Sequence, residues 1–147
     1  MTVKEFLRSV RDANGVVDRK QRQLEELATL RAKVESTTRE MIPDKVQGGH
    51  GNSNEDLMVR MVDLEHEMNA AIDDYIDKKR MAMQMIDQLT DDRHIDLLYL
   101  YYLQSKTWPE VAVAMGYSWR HLHRLHGEAL LALTERWHKM SLNVTMF

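Results

Sequence analysis

Six side chains able to meet a nucleic acid fall within one short stretch: Ser118, Trp119, Arg120, His121, His123 and Arg124. An arginine guanidinium is a planar fork that bonds the edge of a guanine through two N–H groups. Arginine and histidine also bond phosphate oxygens. A serine hydroxyl, together with the free N–H groups at a helix start, can hold a phosphate. Trp119 offers an apolar edge to the sugar-phosphate backbone or to thymine methyls. In this set Arg120 and Arg124 are the candidates for reading bases. Ser118, Trp119, His121 and His123 are the candidates for positioning. The plain alternative is an ordinary solvated face in a helical bundle. DNA is preferred because a turn, two helix caps and a basic face coincide at these residues.

The elements that must hold this set lie in 107–133, TWPEVAVAMGYSWRHLHRLHGEALLAL. Thr107 is a good N-cap, and Glu110 three residues on completes a capping-box pattern. Pro109 falls in the first turn, where a missing N–H costs little. Val111, Ala112 and Met115 then make an apolar stripe at helical spacing. Gly116 can adopt positive φ and end that helix. Ser118 can cap the next one, which starts at Trp119. Leu122, Leu125, Ala129, Leu130 and Leu133 supply its buried side, leaving Arg120, His121, His123, Arg124 and Gly127 mainly opposite. Helix, Gly-containing turn and second helix with a basic outer side form a helix-turn-helix pattern.

Glu110-Val111-Ala112, Met115-Gly116-Tyr117-Ser118, Leu122, Ala129 and Leu130 resemble region 4 of bacterial sigma factors. That family has an acidic-aliphatic-alanine triplet, a Gly-containing turn ending in Ser, and an aliphatic residue four positions after the Ser. Tyr117 replaces a small aliphatic residue of the pattern, and His126 stands at a usually aliphatic position. The start Trp108-Pro109-Glu110 and the turn Gly116-Tyr117-Ser118 are also similar to small phage late-transcription regulators of the ArpU/RinA type. The resemblance spans about residues 90–135. It implies a three-helix DNA-binding domain that works at a promoter with host RNA polymerase.

Charge is distributed in the direction such a role needs. The net charge is −3, but residues 93–147 hold 6 Lys and Arg against 4 Asp and Glu, and five of the seven His. Residues 1–92 hold 14 against 19. The basic excess therefore sits with the helix-turn-helix. It is small, so modest non-specific affinity and a need for a second subunit or protein partner are expected.

Composition excludes several classes. There is no Cys, so disulfides and thiolate metal sites are absent and a reducing compartment fits. No apolar run follows the first residues, so no secretory leader is expected, and no run is long enough for a membrane span. A cytoplasmic location follows. Gly-rich phosphate loops, Cys nucleophiles and Ser/His/Asp arrangements are missing, so the expectation is not an enzyme, and no cofactor is implied. His50, the Asp73-Asp74-Asp77 group and the His121-His123-His126 group lack metal-ligand spacing with suitable partners, so no metal is expected. His126 reads instead as a partly buried histidine bonded to a neighbour.

Hydrophobic residues make up 44% of the chain and Pro is nearly absent, which favours an all-α fold. Val3, Val10, Val17 and Leu24 form one seven-residue row. Phe6, Ala13, Leu27, Val34 and Met41 form another, interrupted by Lys20. Such rows predict a coiled-coil seam. Asn14-Gly15 predicts a break within it. Residues 43–53, PDKVQGGHGNS, read as a linker. Leu57, Met61, Leu64, Met68, Ala71 and Tyr75 resume the rhythm, followed by Ala82, Met85 and Leu89, with Ser53 or Asn54 as the cap. Two such segments joined by a Gly-rich loop predict an antiparallel helical hairpin over 1–89, serving homo-oligomerisation or partner binding. Thr90-Asp91-Asp92 starts a helix to about Gln104, apolar on most sides, that supports the helix-turn-helix domain of 90–140. Residues 141–147 read as a frayed tail.

The whole pattern predicts a sequence-specific regulator that binds double-stranded DNA. A DNA-packaging recognition subunit of a phage also combines these parts, although there the DNA-binding module often comes first. A purely structural interaction module is the third possibility.

Overall fold

A computed structural model describes the backbone of residues 1–40 and 50–145 and the side chains of 1–37 and 54–139. Five helices account for most of it, and no strand occurs among the described residues. They are α1 (Val3–Glu40), α2 (His50–Ile86), α3 (Asp92–Leu98), α4 (Trp108–Met115) and α5 (Trp119–Thr145). The residues fall into two compact units, Met1–Asn14 with Asp74–Phe147, and Gly15–Asp73. These divide the chain at points other than the 89/90 break in the sequence pattern.

The long helices follow the seven-residue rows. In the smaller unit, α1 and α2 run antiparallel. Lys20 Nζ meets Glu67 Oε2 at 2.8 Å. A groove further along is lined by Gln23, Leu27 and Leu30 from α1 and by Arg60, Leu64 and Glu67 from α2. Leu57 and Leu64 are buried there, while Val17, Leu24, Leu27, Met61 and Met68 are half-buried. Lys20, the residue that interrupts the apolar row, is thus half-buried and satisfied by a carboxylate. A single charge inside a seam of this kind penalises any register that would leave it unpaired.

Three boundaries differ from expectation. The Asn14-Gly15 break does not occur, because α1 is continuous from Val3 to Glu40. The Asn14 side chain is engaged elsewhere, donating from Nδ2 to Ser105 Oγ at 2.7 Å. An interior Gly costs a helix only about 1 kcal/mol, which apolar packing on both sides of Gly15 outweighs. Neither Ser53 nor Asn54 starts α2, which begins at His50. Small polar residues are tolerated in a first helical turn, whose N–H groups have no intrahelical partner. Asn54 Oδ1 accepts no hydrogen bond. Met41 and the linker residues up to 49 lie outside the described residues. Finally, α5 runs to Thr145, so the expected frayed tail is helical over most of its length.

The larger unit holds the main core. Val3, Phe6, Leu7 and Val10 of α1 join Ala82, Met85 and Ile86 of α2 and Leu97 and Leu98 of α3. Val111 of α4 and Leu122, Leu125, Ala129 and Leu133 of α5 complete it. Residues Thr2 and Glu5 form a reciprocal cap at the start of α1. The Glu5 N–H donates to Thr2 Oγ1 at 3.1 Å, and the Thr2 N–H donates to Glu5 Oε2 at 2.9 Å.

The expected helix over 91–104 is present with an altered second half. Asp91 is its N-cap and accepts from the Arg93 N–H. After Leu98 the chain widens into a π-helical stretch, Tyr99–Leu103, closed by the Gln104 N–H on Tyr99 O at 2.8 Å. Ser105 then takes the left-handed conformation at φ 57°, turning the chain towards α4. Tyr102 and Leu103 face inward, each 1% exposed.

Candidate nucleic-acid interface

The turn between α4 and α5 is built by local chemistry. Thr107 Oγ1 accepts from the Glu110 N–H at 3.4 Å, and Thr107 O accepts from the Val111 N–H at 2.9 Å. Pro109 occupies the first turn of α4. Gly116 ends the helix at φ 71°, the left-handed region that a Cβ disfavours. Its N–H and that of Tyr117 both reach Ala112 O. Ser118 then starts α5, with its Oγ accepting from the His121 N–H at 3.3 Å and its carbonyl from the Leu122 N–H at 2.9 Å.

From that start, α5 divides into two sides. Leu122, Leu125, Ala129 and Leu133 are buried, at most 1% exposed. Arg120, His123, Arg124 and Gly127 are exposed. Arg120 and Arg124 stand one turn apart on the same side. Neither is held by a hydrogen bond or ion pair to another described residue. Trp119 is 58% exposed, a large value for an indole. It contacts the edge of Trp108, with ring centroids 6.0 Å apart, and lies roughly parallel to His123 at 6.1 Å. His121 turns to another flank, half-buried against Tyr117 at 4.4 Å. Five of the six residues singled out by sequence are therefore exposed, and His121 is half-buried.

Behind this surface lies an aromatic cluster that periodicity did not indicate. Tyr101 stacks on Trp108 with centroids 3.9 Å apart, and Trp108 meets His126 edge-on at 4.8 Å. His126 is buried, and its Nε2 lies 2.8 Å from the Tyr102 hydroxyl. Burial, reinforced by the positive charges of Lys4, His123 and Arg8, pulls the His126 imidazole down to about 4. Burial likewise pushes the Tyr102 phenol up to about 12. At neutral pH both groups are uncharged, and one proton bridges them. This is how the core accepts a polar ring: the ring is paired and stays neutral.

The start of α1 reaches the same cluster. The Arg11 guanidinium lies 4.2 Å over the Tyr101 ring. It donates to Tyr101 O and, at 2.9 Å, to Lys106 O. It thereby satisfies carbonyls left open where the π-helical stretch gives way to the segment before α4. Phe6 packs against Trp137 of α5 at 6.0 Å. At the start of α3, the Asp91 carboxylate accepts from the Arg93 guanidinium at 3.0 Å and from its backbone N–H at 2.9 Å. These bonds hold its carboxyl at about 2. None of these groups lines an enclosed site with a nucleophile or general base.

Among the described residues, no group of three or more His, Cys, Asp or Glu side chains is placed to hold a metal ion, and no helix is long and apolar enough to cross a membrane. No curated protein and no solved structure matches the chain. A family model does match, over residues 33–134, which is more than half of the sequence and includes α2, α3, α4 and the exposed arginines of α5. The chain belongs to the family described as "Protein of unknown function (DUF1492)".

Proposed function

We propose that the protein is a sequence-specific DNA-binding regulator of transcription, built on a sigma-region-4-like helix-turn-helix. The start of α5 enters the major groove, where Arg120 and Arg124 meet base edges. Trp119, His123 and the capped turn at Ser118 bind the backbone beside them, with His121 at the border. The observation that carries this reading is the pair of arginines one turn apart, exposed and free of carboxylates, on a helix whose opposite side is locked into a core. The sequence resemblance supports the rest: a phage-encoded protein in the bacterial cytoplasm, acting at a promoter with host RNA polymerase. No catalytic step and no cofactor enter the proposal.

Self-association belongs to the same reading, because one helix-turn-helix reads only a short site and dimers pair two half-sites. Exposed Leu30, Met58, Val59 and Val62 in the smaller unit supply apolar surface for it. The decisive experiment maps bound DNA across the host genome and measures the recovered fragments by electrophoretic shift. Recovery of a shared motif at promoters supports the proposal. Absence of any shift at low salt removes it.

A further inference from the structure

The basic surface beside α5 is not confined to α5. Lys4, Arg8 and Arg11 follow one another at i, i+4 and i+7, which places them on one stripe of α1. Arg11 fixes where that stripe lies, because its guanidinium sits on Tyr101 and bonds the carbonyls of Tyr101 and Lys106. Tyr101 stacks on Trp108, Trp108 meets Trp119, and Trp119 meets His123, so the stripe joins the exposed side of α5 through one continuous row of rings. The positive charges of Lys4 and Arg8 are felt at His126, between the two helices. Both side chains are exposed, and neither is tied to a carboxylate among the described residues. Glu5, the nearest acid in sequence, is occupied at the Thr2 cap. Lys106 adds a third exposed cation next to Arg11.

We infer that Lys4 and Arg8 of α1 form a sequence-blind phosphate clamp that grips the backbone of the same duplex whose groove α5 enters. This rests on the DNA-binding reading of α5 and extends it to residues outside the matched family region. Two exposed cations held on a capped helix, bonded to no carboxylate among the described residues, carry the charge that a polyanion attracts. Lysine and arginine at helical spacing give point contacts to phosphate oxygens and carry no base information. The clamp adds affinity and leaves the preferred sequence unchanged. It also adds to the small basic excess of the helix-turn-helix itself.

The test uses the full-length protein and a labelled duplex of mixed sequence, with binding measured by fluorescence anisotropy across a salt series. Each lost phosphate contact makes the dependence of log affinity on log salt shallower by about one, so the Lys4→Gln/Arg8→Gln pair lowers the slope by about two. Its ranking of different duplexes stays that of the wild type, and the charge-keeping pair Lys4→Arg/Arg8→Lys keeps the wild-type slope. A second readout needs no variant: acylation of Lys4, followed by mass spectrometry, is suppressed by duplex DNA, while Lys33 stays reactive. An unchanged slope together with equal Lys4 labelling overturns the clamp and leaves the α5 reading standing. Failure of the wild type to bind any duplex at low salt overturns both.

Discussion

Arg124 and His126 lie two positions apart and illustrate opposite uses of a basic side chain. Arg124 is exposed and unpaired, so its worth appears only when a ligand arrives. Arg124→Ala is expected to cost about 1–3 kcal/mol of binding to the preferred duplex and to relax base choice at one position. Competition between duplexes differing at single positions checks this, and a uniform loss across all of them would reduce Arg124 to a phosphate contact. His126 is buried and neutral, with its pKa depressed from 6.5 to about 4. The unfolded chain therefore binds a proton at a pH where the native state does not. Stability is independent of this group above about 6.5, falls as pH drops towards 4, and levels off below. The loss is on the order of 3 kcal/mol. His126→Gln, which retains an acceptor for Tyr102, is expected to flatten that limb in denaturation curves taken at pH 7, 5.5 and 4. Asp91 acts in a lower window, since a carboxyl held near 2 gives up its stabilisation only below its ordinary 3.8. The exposed set could be read from sequence because its capping and periodicity are local. The burial of His126 was expected, but its partner Tyr102 lies 24 residues away, and no local rule chooses it from three neighbouring tyrosines.

Two glycines show how a helix uses the same residue in opposite ways. Gly15 is inside α1, where an added Cβ meets only Arg19 Nη1 at 3.5 Å, an ordinary contact. Gly15→Ala is expected to stabilise the protein by about 0.4–1 kcal/mol. Gly116 ends α4 at φ 71° with nothing within 4 Å of an added Cβ. Gly116→Ala is expected to destabilise by about 1–2 kcal/mol through backbone strain alone. Thermal melts of the two single variants should therefore move in opposite directions. Sequence distinguishes them only in part. At Gly116 the apolar stripe stops and a cap follows, so the end of the helix is encoded. At Asn14-Gly15 the dipeptide favours a turn, but the apolar rows continue on both sides and the long-range Asn14–Ser105 bond leaves no reason to bend. The π-helical stretch had no sequence signal either, because its closure depends on which side chains pack around the tyrosines.

The helical class and the antiparallel pairing of α1 with α2 follow from period and punctuation, whereas the Asn14-Gly15 punctuation would have cut α1 in two. The membership of the larger unit does not. Val3, Phe6, Leu7 and Val10 are in the same core as Leu125 and Leu133, a separation in sequence that periodicity cannot bridge. The seven-residue row explained three of the four, while Leu7, fully buried, falls outside it because this part of α1 is packed from more than one direction. For assembly, the exposed Leu30, Met58, Val59 and Val62 lead to the expectation of a dimer in light scattering. Val59→Lys/Val62→Lys should shift it to the monomer with little change in melting temperature. Ring-sized particles would instead favour a DNA-packaging role.

Arg11 and the four apolar residues around it also decide how small the protein can be made. The sequence suggests excising 90–140 as a minimal DNA-binding fragment. Such a truncation would strip away the lid formed by residues 3–10 and leave Leu97, Leu98, Leu125 and Leu133 facing water. It would also unplug the carbonyls of Tyr101 and Lys106. That fragment should be poorly soluble or molten by near-ultraviolet dichroism, whereas extending it back to residue 74 and splicing 1–14 onto it through a flexible tether should restore much of its cooperative melting. A cooperatively folded 90–140 fragment would show that the first helix is an accessory to the fold.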